Sequence, residues 1–302
     1  MVIGLSTVSD IRKPQVYEVA VVGAAGFLGA AVMSAMTDAG FNAGAFTLDR
    51  PLFSGGIVDA EAAEVRTVVW SASRINPRLA SERPELVERD RGDLAEALAQ
   101  FASWDRPPRV IAFSSGGTVY GPPDVPPYVE TMEPAPVNEY GAAKLDLERQ
   151  LAGSTLETVA LRVANAYGPG QRPAPGQGVL AHWMEAVLSG GEVHLYGDPS
   201  STRDYVYVDD IAQAVVAAHR AAAPPRVVNI GSGVPTTLDR LLESLEFAVA
   251  PARFDTVRHP ARSTDAAHST LDATLARQEL GWSPTVRLDE GVAKMWQWRV
   301  SQ

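Results

Sequence analysis

The sequence predicts an α/β fold in which a doubly wound parallel sheet is followed by a smaller, less regular C-terminal part. Three features carry that reading. A valine-rich run from Val16 to Val22 stops at Gly23-Ala24-Ala25-Gly26-Phe27-Leu28-Gly29 and a helical stretch follows. Apolar runs of strand length then alternate with helical stretches, the order of a sheet covered by helices on both faces. Beyond Gly168-Pro169-Gly170 the chain turns rich in loops as far as Gly178, so the architecture changes there.

Each element has a local reason. Near-continuous hydrophobicity in VYEVAVV suits a strand buried on both sides. Ala30 to Ala39 reads as a helix, Gly44 to Leu48 as a second strand ending at Asp49, and Thr67 to Trp70 as a third. Only 17 residues separate Asp49 from Thr67, too few for a full helix plus another strand. Pro84 to Phe101 is helical and Arg109 to Phe113 (RVIAF) is the next strand. Pro122 to Pro127 (PPDVPP) fits neither a central strand nor a helix interior and marks an exposed loop. A helix is predicted from Glu139 to Leu151, and Leu238 to Gln302 is helical at both ends with a loop between. The expected division places 15–169, with a return segment at about 205–232, in the first domain, and 170–204 with 233–302 in the second.

Composition bounds the function. With 302 residues, 46% hydrophobic and 21% charged, the chain is a soluble globular protein able to bury a sizeable core. A net charge of −10 argues against a nucleic-acid groove or an anionic membrane surface, both of which need clustered cations. Cysteine is absent, which removes thiol chemistry; five scattered histidines without close spacing give no metal site. The N-terminus lacks a signal-peptide pattern and no apolar run approaches a membrane span, so a cytoplasmic protein is expected. Of 26 basic residues only Lys13, Lys144 and Lys294 are lysines.

Two constellations carry chemistry. Gly23 permits a tight turn off the first strand, Gly26 a close backbone approach to a pyrophosphate, and Gly29 close packing of the following helix. With Phe27 and Leu28 these residues form the loop expected to hold a dinucleotide. Asp49, 20 residues after Gly29, stands where a carboxylate accepts hydrogen bonds from the adenosine ribose, which favours NAD. Arg50 beside it suits the 2′-phosphate of NADP and keeps that cofactor open. In the second constellation Tyr140 and Lys144 sit at i and i+4 on one helix face, where an ammonium lowers the pKa of a neighbouring phenol. The choice of lysine in an arginine-rich chain is informative, because a compact ammonium reaches a phenol and a ribose hydroxyl in a way a planar guanidinium does not.

Together with Ser114-Ser115-Gly116-Gly117-Thr118-Val119-Tyr120-Gly121, Leu161-Arg162, Tyr167-Gly168-Pro169, Tyr196-Gly197-Asp198 and Arg203-Asp204-Tyr205-Val206, these motifs resemble the extended short-chain dehydrogenase/reductase family. More narrowly, the chain is similar to its NAD-dependent nucleotide-sugar epimerase/dehydratase group, from about Val16 to Trp298. The resemblance implies a Rossmann domain with a smaller substrate domain, Tyr140 as acid/base, and Lys144 as the group that orients the cofactor ribose. It further implies a hydroxyl ahead of Val119-Tyr120-Gly121, contacts to a nucleotide diphosphate from Asn165, Arg203, Arg262 and Asp265, packing of Tyr196 near the base, and a homodimer through a bundle containing the Glu139 to Leu151 helix.

The chain departs from that pattern in three places. The hydroxyl position is Gly116, so Ser115 or Thr118 must serve, with Ser115 preferred. The acidic residues used by family dehydratases and decarboxylases are replaced by Gly117 and Thr118. The short stretch after Asp49 has no Gly-Asp-Leu motif for the adenine, and Asp59 is its one remnant. A UDP-sugar 4-epimerase is therefore the first reading, a dTDP-4-keto-6-deoxyhexose 4-ketoreductase the second, and a catalytically silent dinucleotide-binding regulator the rival from another class. Trp282 is expected to close the core of the smaller domain.

Overall fold

The computed structural model describes residues 16–121, 127–260 and 268–302. Its centre is one sheet of six strands: β1 (Val19–Val22), β2 (Ala43–Phe46), β3 (Thr67–Trp70), β4 (Arg109–Ser115), β5 (Thr158–Val163) and β6 (Val227–Ile230). All pairs are parallel and the spatial order is β2-β1-β3-β4-β5-β6. The long helices are α1 (Phe27–Asp38), α2 (Pro84–Ala102), α3 (Glu139–Gly153), α4 (Val179–Ser189), α5 (Val208–Arg220), α6 (Leu238–Val249) and α7 (Leu288–Val300). No helix among the described residues is long and apolar enough to cross a membrane.

Alternation along the strands divides the core between the two sheet faces. Val19, Val21, Ile111, Val159 and Leu161 pack with Val32 of α1 and Ile211 of α5. Ala20, Val68, Val110 and Ala112 pack on the other face with Leu94, Leu98 and Phe101 of α2 and Leu151 of α3. This double covering explains why the strands read as unbroken apolar runs. A third cluster joins Leu180 and Trp183 of α4, Leu241 and Leu245 of α6, and Val292 and Met295 of α7.

The chain leaves β1 for the edge strand β2 and returns on the other side of β1 as β3. That reversal opens a crevice at the carboxyl ends of β1 and β3, where open α/β sheets bind their ligands. The compressed stretch between β2 and β3 adds no strand to this sheet. It folds as an antiparallel pair, Phe53–Ser54 with Ile57–Val58, and a single turn of 3-10 helix at Ala60–Ala62, so β2 is left as the edge.

Some boundaries move for local reasons. β2 ends at Phe46, not Leu48, because Thr47 N–H donates to the Arg50 carbonyl and turns the chain. α1 begins at Phe27, so Gly29 lies inside the helix. Trp282 does not close the third cluster; it is buried against the sheet with Ile211 and Leu280, and its Nε1 donates to the Asp210 carbonyl at 2.8 Å. The Asp210 carboxylate accepts from Thr285 N–H and Oγ1 and from Val286 N–H, which fixes the chain leading to α7 against the start of α5.

Candidate active site

The glycine loop is built by close approach. Gly23 has φ of +87°, in the left-handed region, and a Cβ there would stand 2.6 Å from the Ala72 nitrogen. A Cβ on Gly29 would stand 2.2 Å from the Gly23 carbonyl oxygen. Gly26 precedes α1 in extended conformation and its N–H donates to the Gly23 carbonyl at 3.0 Å. No acidic residue occupies the first turn of α1 to oppose its N-terminal dipole. Leu28 turns into the sheet core and Phe27 toward Gly170. A pyrophosphate fits such a loop, since free N–H groups and a positive helix end converge where side chains are excluded. Sequence reading missed Ser71-Ala72-Ser73, which leave β3 directly against Gly23; their signal is three small residues ending an apolar strand.

Asp49 is exposed three residues beyond the end of β2. Arg50 is engaged elsewhere: its Nη2 lies 3.2 Å from Asp59 Oδ2 and 2.5 Å from Glu61 Oε2, and its Nη1 donates to the Tyr17 hydroxyl at 3.2 Å. The Tyr17 hydroxyl and the Glu61 and Asp59 carboxylates hold the guanidinium above its ordinary range. Asp59 also accepts the Glu61 N–H, capping the short helix. Arg50 and Asp59, expected at the adenosine, thus fasten the compressed segment to the sheet edge, and a 2′-phosphate at Arg50 would compete with two carboxylates.

Asn138 caps α3 by accepting the Gly141 N–H at 2.8 Å. Tyr140 and Lys144 follow on one face, with Nζ 5.6 Å from the Tyr140 ring centroid. Lys144 is buried and donates to the Phe113 carbonyl at the end of β4, 3.2 Å away. The electrostatics differ from the expectation. Loss of water pushes the Tyr140 hydroxyl up to about 12 and the Lys144 ammonium down to about 8. The lysine stands over the ring and bonds a carbonyl, and so does not offset the burial of the phenol.

The displaced hydroxyl has a structural reason. A Cβ at Gly116 would lie 2.4 Å from Leu271 Cδ1 and 3.1 Å from the Arg162 carbonyl, and Leu271 is itself locked among Val119, Tyr120 and Tyr128. Ser114 is committed to Glu148, its Oγ donating to Oε1 at 2.6 Å. Ser115 is half-buried at the end of β4. Thr118 Oγ1 is buried and makes no hydrogen bond among the described residues, while the Thr118 carbonyl packs so closely on Gly141, next to Tyr140, that a Cβ there would come within 2.4 Å. A buried hydroxyl without a partner is costly unless something else completes it. Gly116→Ser is accordingly expected to destabilise the fold by about 1–3 kcal/mol through overpacking. Adding Leu271→Ala should restore part of the loss; equal melting temperatures for Gly116→Ser and the wild type would refute the clash.

Asn165 lies on a strand, Asn165–Tyr167, that pairs with Thr202–Tyr207, and its Nδ2 donates to the Asp204 carbonyl at 3.0 Å. Arg203 is on that partner strand, with Nη1 donating to the Thr202 carbonyl. Tyr196 is half-exposed and stacks on His259 at 4.4 Å. Arg262 and Asp265 lie outside the described residues. Asp204, named in the sequence only as part of a motif, has a role of its own: its buried carboxylate accepts from Ser232 N–H and Oγ, Gly233 N–H and Leu271 N–H, joining three segments.

The description "NAD dependent epimerase/dehydratase family" matches residues 19–231. A UDP-glucose 4-epimerase of Mycolicibacterium smegmatis is 40% identical over 203 residues, covering 65% of this chain and 64% of that protein. A dTDP-4-dehydro-6-deoxyglucose reductase of Escherichia coli is 35% identical over 191 residues, covering 62% and 60%. The chain therefore matches somewhat less than two thirds of the length of these relatives. Among solved structures, a Thermus thermophilus UDP-glucose 4-epimerase in complex with NAD superposes with a TM-score of 0.81 at 27% identity, covering 94% of this chain and 99% of that one. A Thermotoga maritima UDP-glucose 4-epimerase with UDP-glucose gives 0.79 at 29%, covering 94% and 98%. The glycine loop at the sheet reversal and the matched span together establish that the chain belongs to the NAD-dependent epimerase/dehydratase family.

Proposed function

We propose that the chain is a nucleotide-sugar oxidoreductase acting at the sugar 4-position, in first place a UDP-sugar 4-epimerase working through a 4-keto intermediate. The observation that carries this is the Tyr140–Lys144 pair, set on α3 beside Gly141, which packs on the Thr118 carbonyl. Gly23, Gly26, Phe27, Leu28 and Gly29 would hold the dinucleotide, with Asp49 at its ribose. Arg50's engagement by Asp59 and Glu61 favours NAD over NADP. When bound, the nicotinamide supplies the hydride acceptor and donor.

Tyr140 as phenolate takes the proton of the sugar 4-hydroxyl, and returns it when the keto group is reduced on its other face. Lys144 keeps a positive charge beside the Tyr140 ring and reaches the cofactor ribose. Thr118, rather than Ser115, donates a hydrogen bond from its hydroxyl to the reacting oxygen. Asn165, Tyr196, Arg203, Arg262 and Asp265 hold the nucleotide diphosphate and its base, the arginines through their planar fork. We assign the cofactor to 15–169 with 205–232, and the substrate to 170–204 with 233–302. The chain would pair as a homodimer through a bundle containing α3.

The 4-ketoreductase reading has one feature of its own. The strand that would carry the adenosine end is an edge strand with a short hairpin beside it, a slighter hold that suits a cofactor released at each turnover. Purified protein is expected to interconvert UDP-glucose and UDP-galactose without added cofactor. No interconversion, with NAD(P)H oxidation on a dTDP-4-keto-6-deoxy sugar, would establish the reductase. Cofactor binding with neither activity would leave the silent regulator.

A further inference from the structure

Between β3, α2 and α3 lies a small cavity lined by Trp70, Ala72, Ser73, Asp90, Lys144 and Leu147. Asp90 enters it from α2. Its Oδ2 accepts the Ser73 hydroxyl at 2.9 Å and the Arg74 N–H at 2.8 Å, and its Oδ1 accepts the Arg74 guanidinium at 2.9 Å. One carboxylate therefore fixes the loop that continues from Ala72, the residue pressed against Gly23. Lys144 enters from α3, with the Phe113 carbonyl as its hydrogen-bond acceptor.

The other charged groups around Lys144 are paired as well. On its own helix, Asp146 pairs with Arg91 of α2 at 3.4 Å and Glu148 is held by Arg162 and Ser114; Tyr140 stands beside it as a neutral phenol. Arg74 is shared between Asp90 and Asp93. Asp90 faces the cavity across from Lys144, from α2, and its charge opposes the cost of the lysine's burial.

We propose that Asp90 is a positioning residue for Lys144: its carboxylate is the counter-charge that keeps the lysine an ammonium inside the crevice, while the same group anchors the Ser73–Arg74 loop behind the glycine turn. The proposal rests on the reading of Lys144 as a working ammonium. It makes the lysine's charge and the backing of the cofactor loop depend on one side chain, so a change in either is felt by the other. Asp90→Asn preserves shape and hydrogen-bond acceptance but removes the charge, and leaves Arg74 balanced by Asp93 alone.

The chain has three lysines, so protein labelled with 13C-lysine gives a simple spectrum in which Lys144→Arg identifies the Lys144 signal. In the wild type that signal should titrate near pH 8. Asp90→Asn should move the midpoint down by about one pH unit, and the alkaline fall in kcat should move with it. Asp90→Glu should keep the wild-type midpoint, and Asp93→Asn, which removes the more exposed partner of Arg74, should leave it unmoved. Should Asp90→Asn not fold, Asp90→Ser reads the same way. An unmoved midpoint in the uncharged variant, or an equal shift in Asp93→Asn, overturns the role of Asp90. A moved midpoint with an unmoved activity profile leaves the counter-charge in place and instead refutes the catalytic reading of Lys144.

Discussion

Tyr140→Phe is expected to lower kcat by about a thousandfold or more, within the span that a positioned acid/base contributes, while dinucleotide affinity measured by fluorescence titration stays within about twofold. Only the hydroxyl is lost, and the ring that packs beside Lys144 remains. The pH dependence follows from the two shifted groups. A phenol pushed up to about 12 is protonated at neutral pH, ready to act as an acid toward a keto sugar. To act as a base it must ionise, so oxidation of the 4-hydroxyl should accelerate with rising pH until Lys144, held down to about 8, loses its charge. The oxidising direction is thus expected to peak near pH 8, and the reducing direction to run level below it and fall above. Tyr140→Phe should abolish the rising limb. Turnover within tenfold of the wild type would remove Tyr140 from the mechanism.

What the sequence disclosed and what it withheld divide along the range of the forces involved. Gly23 and Gly29 are readable because a positive φ and a helix pressed on a carbonyl are demands made within seven residues of chain. The i, i+4 spacing of Tyr140 and Lys144 is equally local, and the short interval between Asp49 and Thr67 left too little room for a full helix plus another strand. Pairings across the fold were not readable. Arg50 looked free for a phosphate because the partners that capture it, Asp59 and Glu61, arrive through the hairpin. Gly116 gave no hint that Leu271 fills the space above it, since that contact joins distant segments. The direction of the Tyr140 shift was hidden for the same reason: spacing placed a cation nearby, but burial, a property of the assembled crevice, outweighed it.

The second large effect concerns the base on which α3 stands. Glu148 lies one helical turn beyond Lys144 and is buried with Arg162 of β5 in a bidentate pair, Nε to Oε1 at 2.9 Å and Nη2 to Oε2 at 2.7 Å. The guanidinium also stacks over Tyr120 at 4.6 Å, and the Tyr120 hydroxyl donates to Asn229 Oδ1 at 2.7 Å. Glu148→Ala strands the Arg162 charge in the interior and leaves the Ser114 hydroxyl without its acceptor. Its expected cost is about 3–5 kcal/mol, read as a fall in melting temperature on the order of 10 °C. The pair Glu148→Leu with Arg162→Met deletes both charges at similar volume and should recover most of that loss, because the penalty lies in the uncompensated ion and the attraction only offsets desolvation. A loss below about 1 kcal/mol in Glu148→Ala would mean that water reaches Arg162. Activity then separates anchoring from stability. The ion pair fixes the register of α3 against β4 and β5 with directional bonds that leucine and methionine cannot reproduce, and Lys144 must meet the Phe113 carbonyl from that same helix. The stable double variant is therefore expected to bind dinucleotide yet turn over at least about tenfold more slowly than the wild type, whereas full activity would assign Glu148 and Arg162 to stability alone.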